Sequence, residues 1–459
     1  MNESKDLTSY LKHYGFFFPN AEIYQGLAKS WDCGPNGAEL KRKLKDWWWK
    51  FFITSQPHNV SSDSLILTHP QVLAASGHLK NFYDWLTECL NCQKRHRLDN
   101  LISAKEFAAF LVQEDKQNFA VLQNCPQCGQ NKLTKPRQFN LLLSSNLQIT
   151  DQEKKNLVYL RPETCQGIFI NFAAIQRSTR KKLPFGVGQI GKSFRNEITL
   201  HHGIFRTREF EQMELEFFCS SEEREKWWEY WNQKAWIFLN KLVRNKEKTK
   251  QVQLAPDELP HYARKTTDLY FQYHFGWGEL CSLSDRGDYD LKNHRQQVGQ
   301  DLAIEKEIPH VIEVSFGVER LMLALLESSY QKEMVKGVQG EEKEREVLKL
   351  HPLLVPYFVA IIPLSKQLQD KAQQIYQELL TEIDFSTTYE EASSIGKAYR
   401  RQDAIGTYYC LTVDFQTLED DTITVRERDN LKQIRLSRQE IAQFLRQEYQ
   451  KYCQEFVKI

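Results

Sequence analysis

The sequence predicts an α+β domain built on an antiparallel sheet flanked by helices, with an inserted domain and a C-terminal α/β domain. Three observations lead there. Residues 191–218 alternate with period two on either side of a basic loop, as two paired strands do. The segment PHVIEVSFGVERLMLALLE, residues 309–327, reads as a strand running into an amphipathic helix. Beyond a charged stretch at 331–349, apolar strand-like runs alternate with helical ones, the pattern of an independent α/β unit.

With 459 residues, 41% hydrophobic and 26% charged, the chain has the composition of an ordinary globular protein with room for about two or three domains. Lys plus Arg number 61 against 60 for Asp plus Glu, so a net charge of +1 offers no global attraction for nucleic acid; RNA binding would need local patches. The N-terminal segment holds no sustained apolar run with a small-residue cleavage site, and no window approaches the ~18 consecutive apolar residues of a membrane span. The chain therefore reads as cytoplasmic, with no membrane partner. Its 10 cysteines point to reduced thiols or metal ligands in preference to a disulfide framework.

Taken in order, a turn at Gly34-Pro35 precedes an amphipathic helix on which Trp47, Trp48 and Trp49 cannot share one face. At least one of them is expected at an interface or near the surface. Residues 75–150 look like an insertion carrying two Cys-x-x-Cys pairs, Cys89/Cys92 and Cys125/Cys128. Each pair has zinc-ligand spacing, and CPQCG is a knuckle turned by its Pro and Gly, although the gap between the pairs exceeds that of a usual zinc ribbon. The four are candidate ligands of a structural Zn2+, with free thiols as the alternative. Strands and loops follow from Tyr159 to Phe218, then a Trp- and Lys-rich helix at 222–246, then strand and loop over 268–303. The charged stretch 331–349 is expected to bound the main domain, separating residues 1–350 from 351–459.

In the first strand of the 191–218 pair, Ser193, Arg195 and Glu197 share a face opposite Phe194, Asn196 and Ile198. In the second, Phe210, Gln212, Glu214 and Glu216 share a face, while Met213, Leu215 and Phe217 turn to a core. A surface of Arg, Glu, Gln and one Phe suits something charged and flat, and the connecting loop TLHHGIFRTR is long and basic for a hairpin. At 309–327 the alternation puts Glu313, Ser315 and Gly317 opposite Val314 and Phe316. Arg320 then falls in the helix's first turn, where the N-terminus favours anions and a guanidinium grips phosphate as a fork. Glu163, in LRPETCQGIFINF, adds a third carboxylate to Glu214 and Glu313. Three acids together repel unless a cation or hydrogen-bond donors meet them, and an ammonium would serve.

These segments resemble motifs 2 and 3 of the class II aminoacyl-tRNA synthetases. YGFFFPNAEIYQGLA, RPETCQGIFINF, REFEQMELEFF and FGWGEL further resemble the dimeric glycyl-tRNA synthetases of that class, over almost the whole chain. The resemblance implies a ligase that activates glycine with ATP and Mg2+ and passes it to tRNA(Gly), as a homodimer joined through the motif 1 region near Pro184. It implies that residues 1–350 are the catalytic domain and that Arg195, Glu197, Glu279 and Arg320 are catalytic, Arg195 on the α-phosphate and Arg320 on the γ-phosphate. ATP would also meet Asn196, Phe205, Arg206, Thr207, Arg208, Glu209, Phe210, Leu280, Gly317, Val318 and Glu319, with Phe210 stacked on adenine. Glycine would meet Arg97, Glu163, Phe210, Glu211, Gln212, Met213, Glu214, Glu313, Val314, Ser315, Phe316 and Gly317. Cys165 and Val314 stand where that family usually has alanine and proline. Since glycine has no side chain to recognise, such a site selects by gripping the ammonium and filling the space a larger substrate's methyl needs. In the C-terminal unit, SSIGKAYRRQDAIGTYYCLTVDF and TITVRERDN resemble an anticodon-binding domain, with Lys397, Arg400, Arg401, Arg426 and Arg428 as RNA-facing candidates. The alternatives are a class II synthetase for another small amino acid and a synthetase-like nucleic-acid-binding subunit without catalysis.

Overall fold

Period-two alternation builds a larger sheet than the hairpin alone. Its strands are β1 (Val60–Ser61), β2 (Phe185–Phe194), β3 (Glu209–Cys219), β4 (Thr249–Gln253), β5 (Lys265–Tyr273), β6 (Gly276–Gly287) and β7 (His310–Gly317). They lie in the order β4-β5-β6-β7-β3-β2-β1, antiparallel except for the short β2–β1 pairing. The computed structural model describes the whole chain except residues 1–2, 28, 114–115, 117–118, 120, 122, 148–155, 199–201, 305, 337–341, 392–393 and 458–459. Residues 199–201 of the basic loop therefore lie outside the described residues.

One face of the sheet is apolar. Met213, Leu215 and Phe217 from β3, Leu269 and Phe271 from β5, and Val314 and Phe316 from β7 all enter one buried core. The helices that matter for the site are α1 (Glu3–His13), α2 (Pro35–Trp49), α3 (Cys165–Thr179), α4 (Arg224–Leu242), α5 (Tyr289–Val298) and α6 (Val318–Ser329). Leu40, Leu44 and Trp48 of α2, Trp231 and Phe238 of α4, and Leu321 and Leu325 of α6 cover the apolar face. Helices α3 and α5 close part of the opposite face, where Phe169, Phe172 and Leu291 pack on Phe185, Phe218 and Val311. Pro35 sits in the first turn of α2, where its missing N–H costs nothing. The tryptophans divide as their spacing requires: Trp48 stacks on Phe52 at 5.1 Å, Trp47 meets Phe456 edge-on at 5.0 Å, and Trp49 is half-buried.

Residues 83–140 add a small sheet in which Tyr83–Glu88 pairs with Arg95–Arg97 and Arg137–Asn140. It has its own core of Leu98, Ile102, Phe110 and Val121. The charged stretch after α6 is itself structured: Tyr330–Lys336 pairs with Glu342–Leu348 as an antiparallel hairpin.

Beyond it come β8 (Val359–Pro363), β9 (Thr387–Tyr389), β10 (Tyr409–Val413), β11 (Thr422–Glu427) and β12 (Gln433–Ser437), in the order β9-β8-β10-β11-β12. Helices α7 (Gln369–Glu382), α8 (Ile395–Ile405) and α9 (Arg438–Val457) accompany them. This unit does not hang free. Its buried residues join the core under the large sheet, Lys43 of α2 donates to the Val355 carbonyl at 2.5 Å, and Phe456 of α9 lies among Trp47, Phe51 and Phe238.

Asp403 of α8 ties hairpin to sheet. It accepts from Arg345 at 2.9 Å and from Arg426 at 2.8 and 2.9 Å, all three side chains being buried. Removing one partner from a buried ion network strands the others, so Asp403→Ala is expected to destabilise the protein by about 3–5 kcal/mol. Urea unfolding followed by tryptophan fluorescence checks this; an unchanged midpoint would refute it.

Candidate active site

The second face of the large sheet is polar, and strand register assembles it. Glu214 lies opposite Gln189 on one side and Ser315 on the other; Gln212 faces Gly317 and Glu216 faces Glu313. Across β6 the same rows continue through Ser282 and Ser284 to Asp268 and Thr266 of β5. Strict alternation from buried Cys281 and Leu283 would send Glu279 into the core. A bulge where β5 meets β6, at Leu269/Tyr270, shifts the register, and Glu279 pairs with Tyr270 instead. The bulge re-aims one side chain: Glu279 lines the cavity while Leu280 is buried.

Over this face opens a cavity of about 320 Å3. At its deep end the carboxylates gather. Glu214 accepts from Gln212 at 2.7 Å and Ser315 at 2.8 Å, and also from Thr164. Glu163 accepts from Cys165 and Gln166, each at 3.0 Å, and stands 3.5 Å from His78. Burial raises the Glu163 carboxyl, but His78 beside it, 3.5 Å away, and the Arg286 guanidinium outweigh this and hold the group well below the usual carboxylate range. Burial and the Glu163 charge push Glu214 up. Burial pushes the Glu313 carboxyl up, against the opposing pull of the Arg286 guanidinium 3.2 Å away. Arg286 is itself fully buried, forked onto Asp290 at 2.7 and 2.9 Å and stacked 3.8 Å from the Tyr262 ring.

At the open end the guanidiniums of Arg195, Arg206 and Arg320 line the cavity. Arg195 follows β2 directly, its N–H still paired with the Arg208 carbonyl at 2.9 Å, and its guanidinium sits between the rings of Phe82 at 5.4 Å and Phe210 at 5.3 Å. Arg320, in the first turn of α6, lies over Phe205 at 4.7 Å and 3.3 Å from Glu279. Arg206 pairs with Glu197 at 2.9 Å. Asp268, raised to about 6 by burial and by Glu279, keeps one buried carboxyl oxygen without a partner.

The cavity wall thus brings together Glu163, Arg195, Glu197, Phe205, Arg206, Thr207, Phe210, Gln212, Glu214, Glu279, Glu313, Ser315, Gly317, Glu319 and Arg320. Other expected residues point elsewhere. Met213, Leu280, Val314, Phe316 and Val318 are buried in the apolar core, where alternation or helix phase sends them. The Glu211 side chain is on the far side of the sheet, ion-paired with Lys41 at 2.6 Å and Lys45 at 2.8 Å. Glu209 pairs with Lys192 at the surface. Arg208 lines a neighbouring cleft, and the backbone of Asn196 turns aside to bond Leu141 at 2.8 Å. Arg97 is off the wall, held by Asp84 at 3.3 Å and Asp99 at 2.7 Å, although its charge is coupled to Glu197. Arg286, Tyr262, His78, Phe82 and Asp268 were missed. Each reaches the site from an element remote in sequence and carries no motif of its own; a fourth acid in DYD beside Arg286 was the available hint.

Comparison with known proteins agrees with this geometry. Residues 147–329 match the tRNA synthetase class II core domain (G, H, P, S and T), and residues 358–448 match an anticodon binding domain. A glycine–tRNA ligase of Geobacillus thermodenitrificans is 46% identical, covering 96% of this chain and 96% of the relative. One from Mycoplasma capricolum is 48% identical over 96% of this chain and 98% of its own length. The chain belongs to the glycine–tRNA ligase family.

Two further expectations bear on this ligase. The four cysteines of the small sheet do converge: Cys89 and Cys128 sulfurs are 3.6 Å apart, as are those of Cys92 and Cys125, and all four lie within 4.8 Å of one another. None is in a disulfide. In the anticodon-type unit, Lys397, Arg400 and Arg401 are exposed along a cleft of about 840 Å3 shared with His13, Tyr14 and Tyr389. Arg426 and Arg428, expected to face RNA, are buried instead. Arg426 is forked onto Asp403 within the unit, while Arg428 donates to the carbonyls of Gly406 inside it and of Leu348 and Leu350 before it, and so ties the unit to the preceding chain. Among the described residues no helix is long and apolar enough to cross a membrane.

Proposed function

We infer that this chain is a glycine–tRNA ligase: it activates glycine with ATP to glycyl-adenylate and transfers the glycyl group to the 3′ end of tRNA(Gly). The supporting observation is the cavity in which Glu163, Glu214 and Glu313 close one end while Arg195 and Arg320 stand at the other. Carboxylates fixed by neighbouring donors suit a small ammonium, and two guanidiniums suit a triphosphate. The glycine carboxylate is already an anion and attacks the α-phosphorus in line, so this step needs no general base. Arg195 at the α-phosphate and Arg320 at the γ-phosphate neutralise the charge that develops, and pyrophosphate leaves. Glu197 orients Arg206. The orphaned oxygen of Asp268 beside Glu279 fits a hard cation, so these two would hold Mg2+, which offsets phosphate charge when bound. In the second step the tRNA's terminal 3′ hydroxyl attacks the glycyl carbonyl of the adenylate; the ester forms as the acyl–phosphate bond breaks, AMP leaves, and the hydroxyl proton is released.

Residues 1–350 then form the catalytic domain, with the insertion at about 75–150, and residues 351–459 bind the anticodon through Lys397, Arg400 and Arg401. The enzyme is a cytoplasmic homodimer joined near Pro184. The four-cysteine cluster holds a structural zinc ion, since a tetrahedron with Zn–S of about 2.3 Å has edges of about 3.8 Å, close to the sulfur spacings here.

Arg195→Ala and Arg320→Ala are each expected to cut glycine-dependent ATP–pyrophosphate exchange by at least about 100-fold with circular dichroism unchanged. Near-normal exchange in both would overturn these roles. Serine or alanine supporting exchange as well as glycine would overturn the substrate. For the metal, elemental analysis should give about one zinc per chain, falling in Cys125→Ser; a zinc-free wild-type protein ends that proposal.

A further inference from the structure

Glu216 is the member of the acid cluster to which substrate binding gives no role. It is fully buried, and neither of its carboxyl oxygens has a hydrogen-bond partner. It stands directly opposite Glu313 on the adjacent strand, and oxygens of these two carboxyls lie within 4.8 Å of each other and of the Cys165 sulfur. The charged and titratable groups facing it are Glu214 from its own strand, Glu313 from β7, Arg286 from the end of β6, Asp290 from α5 and Cys165 from α3. Arg286 gives its whole fork to Asp290 and Glu313 and none of it to Glu216. The Cys165 thiol is turned to Glu163.

An ionised carboxylate with no donor, in a dry interior beside a second carboxylate, is costly; the neutral acid is far less so. A metal ion would be another way to offset the pair, but Arg286 already occupies Glu313 with a full positive charge. We propose that Glu216 works as a neutral carboxylic acid, a positioning residue whose O–H serves Glu313: it keeps the pair at a single negative charge and orients the Glu313 carboxylate toward an arriving ammonium. Burial and the Glu313 charge both push the Glu216 carboxyl well above the usual range, which favours the protonated form. Sequence alternation had already placed Glu216 on the polar face; only its register against Glu313 gives it work to do. The inference rests on the reading of Glu313 as a glycine ligand.

The test compares Glu216→Gln, which keeps a neutral donor of similar shape, with Glu216→Leu, which keeps bulk and removes the donor. Glu216→Gln should hold the wild-type glycine KM at pH 7. Glu216→Leu should raise the glycine KM about tenfold or more while leaving the ATP KM within about twofold. A wild-type glycine KM in Glu216→Leu would show that the side chain only fills space. A loss in Glu216→Gln as large as in Glu216→Leu would show that a negative charge is required, and either result overturns the proposal. If Glu216→Leu does not fold, Glu216→Gln alone decides between charge and donor. Glu313→Gln is the control for the parent reading: an unchanged glycine KM there removes Glu313 from the site, and the failure is then of that reading and not of the role given to Glu216.

Discussion

Burying a set of carboxylates on one face of a sheet, with the buried Arg286 guanidinium forked among them, is the constraint around which this molecule is organised. Acids without partners in a dry interior would unfold it. Arg286 therefore lies deep, forked onto Asp290 and Glu313, and Glu163 and Glu214 are surrounded by hydroxyl, amide and thiol donors. What faces the cavity is a set of carboxyl oxygens from Glu163, Glu214 and Glu313. A site of that kind attracts a compact cation without needing a hydrophobic pocket, which suits a ligand whose side chain is a hydrogen atom.

The opposite face of the same strands explains how such a layer is tolerated. Each polar row on β3 and β7 alternates with Met213, Leu215, Val314 and Phe316, which share one buried core with Trp48 of α2, Phe52 just after it, and Trp231 and Phe238 of α4. The apolar side stabilises by area, roughly 25 cal/mol per Å2 removed from water, and so offsets a polar face that was not selected for stability.

Much of this was legible in the sequence because it depends on local periods. The α+β class, the paired strands at 191–218 and the strand leading into the Arg320 helix follow from alternation and helical spacing, and the faces of Gln212, Glu214, Glu313 and Ser315 come with them. The remainder depends on register between distant strands, which one sequence does not display. Arg286 meets Glu313 only once β6 is laid beside β7. Glu279 reaches the cavity through a bulge that no residue pattern announces. Treating whole motif segments as ligand-binding placed Met213, Val314 and Phe316 at the site, although their own parity sends those side chains to the core. Arg426 and Arg428 looked like RNA contacts because charge in a strand usually marks solvent; here Asp403 and three backbone carbonyls make burial acceptable.

Phe456 lies almost at the end of the chain, yet it is buried against Trp47, Phe51 and Phe238, side chains contributed by segments made much earlier. A ribosome making this chain releases those earlier rings long before their last neighbour exists. Until α9 is made they lack that cover, so the hydrophobic backing of the large sheet draws on segments far apart in the order of synthesis.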